Sequence, residues 1–165
     1  YLIVMKNSKC YLSSNSTYPS SIVNFSAWYD TSEIYMTRDE VITLKTGNGA
    51  WWGSSLKIAA DHGDDLSRYK NGYLFFDARG ETKSSFKVGF RTGHFTNNTL
   101  VNNYVAFGGN SKYQLTSNWK TFKLPLRELD KGADFSNVTE VLFFLGIDNF
   151  DGKLAQFKNV HYVVN

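Results

Sequence analysis

The 165-residue chain has one cysteine, Cys10, and two prolines. A disulfide framework within the chain is therefore excluded, and a core of hydrophobic packing must hold the fold. No stretch approaches the roughly 18 consecutive apolar residues of a membrane span. No basic n-region or cleavage site stands at Tyr1, so the chain reads as an excised module or mature fragment. Charge of one sign is equally scarce: Lys plus Arg number 18 and Asp plus Glu 15, for a net charge of +3 with no like-charged run. That balance argues against a disordered arm and leaves no focused field for nucleic acid. A sustained 3.6-residue apolar period is also missing, apart from one helical turn that Pro125 to Leu129 could close.

Aromatic residues are abundant at 16%, and period two dominates their setting. In Tyr73 to Arg79, Leu74, Phe76 and Ala78 fall on one face and Phe75, Asp77 and Arg79 on the other; in Phe86 to Arg91, Phe86, Val88 and Phe90 alternate with Lys87 and Arg91. Further strands read over Val41 to Lys45, Ser55 to Ala59, Thr121 to Leu126, Val141 to Ile147 and Phe157 to Val163. Many short strands separated by turns such as Gly108-Gly109-Asn110 and Asp151-Gly152 predict an all-β fold, an antiparallel two-sheet β-sandwich or a barrel. Residues 1–20 read as an N-terminal strand and linker junction, because Ser13 to Ser21 has linker composition, and residues 21–165 as the folded module. Apolar Tyr1 to Met5 is the candidate for a terminal strand that pairs elsewhere in the sheet.

If the Leu74 and Phe86 faces share one core, the opposite face of the same sheet carries Asp77, Arg79, Lys87, Arg91 and Lys123. Such a face is either ordinary solvated surface or a polar platform. On the second reading, Asp77, Arg79 and Arg91 sit on neighbouring strands and offer carboxylate and guanidinium geometry to vicinal hydroxyls. Parity carried back from Leu56 and Ile58 points Trp52 inward and Trp51 to the polar face. An exposed, rigid indole is suited to stacking on a ligand, which makes Trp51 the first binding candidate, with Trp28 or Tyr29 behind it. Trp119 is expected in the core.

Catalytic patterns are poor. No strand presents the paired carboxylates of a glycosidase, and Glu81, Glu128 and Glu140 are assigned to turns. His62, His94 and His161 lack zinc-ligand spacing. Asp61-His62-Gly63-Asp64-Asp65 is acid-rich, but it lacks a calcium-loop pattern and reads as a solvated loop.

Five segments in order, Gly49 to Ile58, Asp65 to Tyr69, Gly72 to Gly80, Tyr113 to Leu126 and Phe157 to Val160, resemble the carbohydrate-binding modules of the galactose-binding-like β-jelly-roll superfamily. They are similar in particular to modules attached to bacterial β-glucan hydrolases and to the C-terminal domain of marine exo-β-glucosidases. The resemblance implies a galactose-binding-like jelly roll and a non-catalytic module that targets an attached glycoside hydrolase to a polysaccharide, most simply a β-glucan. It implies ligand contacts at Trp51, Asp77, Arg79 and Arg91, with His94 or Tyr104 beside them. It requires no cofactor and allows a structural Ca2+ of unknown ligands. The expected partners are a polysaccharide or oligosaccharide and a catalytic domain, without nucleic acid or membrane, in a secreted, extracellular or periplasmic setting. Two rivals stand: a sandwich that only buttresses its catalytic domain, and a jelly-roll lyase using Tyr104, His94 and Arg91. The basic residues of the polar face lean instead toward an anionic polymer.

Overall fold

The computed structural model describes residues 23–81, 84–147 and 152–165, with the backbone of residues 2–3, 5–6 and 9–10. Strands β1 (Leu2–Ile3), β2 (Met5–Lys6) and β3 (Lys9–Cys10) are followed by β4 (Val23–Ala27), β5 (Glu33–Met36), β6 (Ile42–Lys45) and β7 (Trp51–Ile58). Then come β8 (Tyr73–Gly80), β9 (Phe86–Thr92), β10 (Val101–Phe107), β11 (Lys120–Pro125), α1 (Leu126–Leu129), β12 (Val138–Ile147) and β13 (Leu154–Val163). The antiparallel strands form the expected two-sheet sandwich. One sheet runs β11-β8-β13-β6-β5 with β1 on β13, the other runs β10-β9-β12-β7-β4, and β2 and β3 form a separate hairpin. Pairing of Leu2 and Ile3 with Tyr162 and His161 agrees with a terminal strand near Tyr1. The proposed boundary at residue 20 lies outside the described residues.

The inward parity read from sequence holds. Leu74, Phe76 and Ala78 face Phe86, Val88 and Phe90 across a core that also holds Trp52, Phe107, Phe122, Phe144 and Phe157, all buried. Its rings meet edge-on or tilted, for instance Phe144 with Phe157 at 4.7 Å and Phe107 with Phe122 at 5.0 Å, the offset geometry that aromatic quadrupoles favour. Three elements escaped the alternation argument. Strand β10 was hidden by its polar doublet: Asn103 faces inward and buried, its Oδ1 accepting from the Lys131 amide. Strands β4 and β5 flank the Trp28 turn in a weakly patterned stretch.

Consecutive strands do not all stay together. β8 and β9 are separated by a short connection, yet they belong to opposite sheets. Parity states which side chains point at the core, and both sheets point at the same core from opposite sides. The single polar face expected for Asp77, Arg79, Lys87, Arg91 and Lys123 is therefore two faces on opposite sides of the molecule. Asp77, Arg79 and Lys123 lie on one, and Lys87 and Arg91 on the other.

Central strand β12 is buried on both sides and is irregular. Its register shifts against β7 between Glu140 and Leu142, and against β9 on either side of Glu140. This bulge turns both Val141 and Leu142 into the core while Glu140 and Phe143 point outward. The bulge is tied to the opposite sheet by Tyr162, whose buried hydroxyl donates to the Val141 carbonyl. Burial pushes that phenol far above its ordinary pKa, so it stays a neutral donor. Tyr162→Phe leaves the carbonyl unpartnered and is expected to cost about 1–3 kcal/mol of stability. Urea unfolding measures it, and an unchanged midpoint would show that the bulge needs no tether.

Candidate functional site

The site grows from Trp28. A short turn, Trp28–Asp30, follows β4, and Tyr29 and Asp30 both take left-handed backbone angles, φ 50° and 54°. Neither residue is glycine, so the turn is strained, at a cost of order 1–3 kcal/mol per residue. It persists because it is pinned to β7. The Thr31 amide donates to the Trp28 carbonyl at 3.0 Å, the Gly53 amide to Thr31 Oγ1 at 2.9 Å, and Ser32 Oγ to the Gly53 carbonyl at 2.7 Å. The turn lays the Trp28 indole on the outer face of β7 and β12, 6.1 Å from the Phe143 ring and inclined to it by 12°. Phe143 is buried by this cover although it points away from the core.

Glycine at position 53 is what lets the indole lie flat. A methyl group there would sit 2.1 Å from Trp28 Cε3. Gly53→Ala is therefore expected to lift the ring and weaken ligand binding about tenfold, roughly 1.4 kcal/mol, with the core unaffected. Calorimetric titration beside a thermal melt checks this; binding unchanged in a folded variant would show that the tilt of Trp28 is immaterial.

A polar chain runs alongside the ring. Trp28 Nε1 donates to Ser55 Oγ at 3.2 Å, and Ser55 Oγ donates to Glu140 Oε1 at 2.7 Å. Arg91 Nη1 lies 2.9 Å from Glu140 Oε2, and Arg91 Nε donates to Asn102 Oδ1 at 2.8 Å. The Arg91 guanidinium is also 4.4 Å from the Trp28 ring centre. Side-chain exposure of 17% for Arg91 and 7% for Glu140 makes this a largely desolvated ion pair, held by hydrogen bonds on both members.

Trp28, Arg91 and Glu140 line a groove of about 520 Å3 with Tyr29, His94 and Phe95. Tyr29 is 90% and Phe95 85% exposed, and Trp51, 39% exposed, meets Tyr29 edge-on at 6.1 Å. His94 Nε2 is buried without a hydrogen-bond partner among the described residues. Among the described residues lining the groove, Glu140 is the one carboxylate, so the two-carboxylate arrangement of glycoside hydrolysis is missing there. Flat and exposed rings beside a fixed guanidinium and carboxylate suit a ligand with apolar faces and equatorial hydroxyls.

The groove brings together Trp28, Tyr29, Arg91 and His94, and Trp51 adjoins it through Tyr29. Tyr104 sits apart, with Lys87 Nζ 4.4 Å and Lys131 Nζ 5.2 Å from its ring, and lines a separate depression of about 450 Å3. Asp77 and Arg79 are on the far sheet and take no part in the groove, which corrects the shared platform. Trp119 is a second correction: it lies half-buried beneath Arg79 on that far face, outside the core. Glu140 is in β12 rather than a turn, and neither it nor Phe95 was singled out by sequence reasoning. The signal for Glu140 was present in the unbroken apolar run from Val141 to Leu145, which marks a strand covered on both faces. No three His, Cys, Asp or Glu residues among those described converge to hold a metal ion.

Residues 1–162 match the family model described as carbohydrate binding domain 30. Among solved structures, the chain is similar to a family 30 carbohydrate binding module at 22% identity and a TM-score of 0.70, over 99% of this chain and 98% of that one. It is similar to the family 30 module of the cellulosomal cellulase Cel9D-Cel44B of Clostridium thermocellum, with 22% identity, a TM-score of 0.64 and coverage of 100% and 94%. It also resembles a mutant of the family 29 module CBM29-2 complexed with mannohexaose, with 14% identity, a TM-score of 0.57 and coverage of 98% and 89%. No curated protein sequence matches the chain.

Proposed function

Because the chain belongs to family 30 of the carbohydrate-binding modules, we propose that the Trp28 groove is its glycan site and that the glycan is a β-glucan. The protein is a non-catalytic carbohydrate-binding module. One observation carries the assignment to this groove: an indole laid flat over Phe143 and beside Arg91, with three further rings exposed around it. Trp28 covers the apolar face of a sugar ring, Tyr29, Trp51 and Phe95 flank neighbouring sugars, and Arg91, Glu140 and His94 exchange hydrogen bonds with hydroxyls. Contacts worth about 1–2 kcal/mol each give an affinity of about −4 to −8 kcal/mol, millimolar to micromolar. A neutral ligand agrees with the pairing of Arg91 by Glu140, whose charges offset each other in the groove.

Affinity in this range is useful when tethered. We read the module as attached to a glycoside hydrolase outside the cell, where it raises the enzyme's concentration on insoluble glycan. Similarity to the module of a cellulosomal cellulase supports that reading. Native gels containing barley β-glucan or laminarin test the site and the ligand together. Retardation is expected, weakened about tenfold by Trp51→Ala and further by Arg91→Ala. No retardation by either glucan overturns the β-glucan assignment, and equal retardation of both variants overturns the site.

A further inference from the structure

The opposite face of the sandwich carries a second organised row. Tyr35, Thr43, Gln156 and Arg79 stand in register across β5, β6, β13 and β8. Trp119, immediately before β11, extends the row past Arg79. At about 4.8 Å per strand it spans ~19 Å. The row is wired internally: Gln156 Nε2 donates to the buried Thr43 hydroxyl at 3.2 Å, and Arg79 Nε donates to Gln156 Oε1 at 2.8 Å. These bonds fix the plane of the guanidinium, whose Cζ lies 4.6 Å from the Trp119 ring centre. Lys158 Nζ approaches the same ring to 4.2 Å.

Two cations thus converge on one half-buried indole, and among the described residues no ion pair joins a carboxylate to either. Asp77, opposite Lys158 in register, is engaged elsewhere. Its Oδ1 accepts from Thr121 at 2.6 Å and its Oδ2 from Asn159 at 2.7 Å, and among the described residues no ion pair joins it to Arg79 or Lys158. Lys123, 4.1 Å from the Tyr73 ring, adds a third cation to the face.

We propose that this face is a second glycan-binding surface, specific for a carboxylate-bearing polysaccharide and independent of the Trp28 groove. A pre-oriented guanidinium fork matches a carboxylate bidentately, and Lys158 supplies a point charge beside it. Trp119 offers its remaining ring surface to the sugar that bears the carboxylate. The length of the row, with half-exposed Tyr35 at its far end, fits an extended chain rather than a small anion. The module would then hold a neutral and an acidic polymer at once.

Polygalacturonate in native gels is the probe, with barley β-glucan gels run in parallel. Wild-type protein is expected to be retarded by polygalacturonate, and the R79Q/K158Q variant to lose about tenfold or more of that affinity while keeping its β-glucan retardation. K70Q/R127Q removes the same charge from exposed positions away from the row and is expected to bind like wild type. No wild-type retardation by polygalacturonate, or equal losses in K70Q/R127Q and R79Q/K158Q, overturns the proposal. The β-glucan lanes report on the groove separately, so either reading falls without the other.

Discussion

Trp28→Ala is expected to abolish glycan binding, a loss of at least about 100-fold or roughly 3 kcal/mol. The ring is the floor of the groove and also its cover. Removing it exposes Phe143 and deprives the Arg91 guanidinium of the surface it lies on at 4.4 Å. Trp28→Phe separates these roles, because it keeps a flat ring over Phe143 and discards the Nε1 donor to Ser55. That variant is expected to bind still, weakened about tenfold rather than 100-fold. Calorimetric titration with a β-glucan oligosaccharide measures both. Full binding by a folded Trp28→Ala protein would remove the groove from the account.

Glu140→Ala is expected to have the largest effect on stability, lowering the free energy of unfolding by about 3–5 kcal/mol. The substitution strands the guanidinium of Arg91 in a desolvated position with Asn102 as its remaining hydrogen-bond partner among the described contacts. It also removes the acceptor for Ser55 Oγ. Arg91→Ala on top of it is expected to restore part of the loss, because no charge is then left unpaired. Urea unfolding of the two single variants and the double variant gives the coupling directly. Strictly additive losses would show that the pair contributes nothing as a pair.

Much of the sandwich was legible because burial on a strand has a period of two. Leu74, Phe76 and Ala78, then Phe86, Val88 and Phe90, are inward as alternation required, and the Trp51–Trp52 pair divides between surface and core. The helical turn at Leu126–Leu129 also lies where Pro125 suggested it. What alternation could not convey was sheet membership. Arg79 and Arg91 have the same parity, but their strands approach a common core from opposite sides, and only long-range pairing decides which side. A bulge defeats parity altogether, which is why Glu140 lay unseen next to Arg91. Trp28 and Tyr29 carry no parity signal as binding candidates. They are instead presented by a strained turn whose left-handed angles at Tyr29 and Asp30 have no glycine to announce them. Trp119 escaped because its cover is cationic: an indole beneath Arg79 and Lys158 is satisfied without entering the core.

The central claim is that neutral glycan lies on the face of β9, β12 and β7. The chain has four tryptophans, hence four indole N–H resonances, and they are distributed as built-in controls. Trp28 and Trp51 are on the claimed face, Trp52 is in the core and Trp119 is on the opposite sheet. Titration of nitrogen-15-labelled protein with a β-glucan oligosaccharide, followed by heteronuclear NMR, reads all four together. The account predicts saturable shifts of the Trp28 and Trp51 indole signals while those of Trp52 and Trp119 stay in place. Movement of Trp119 with Trp28 and Trp51 unmoved would contradict it.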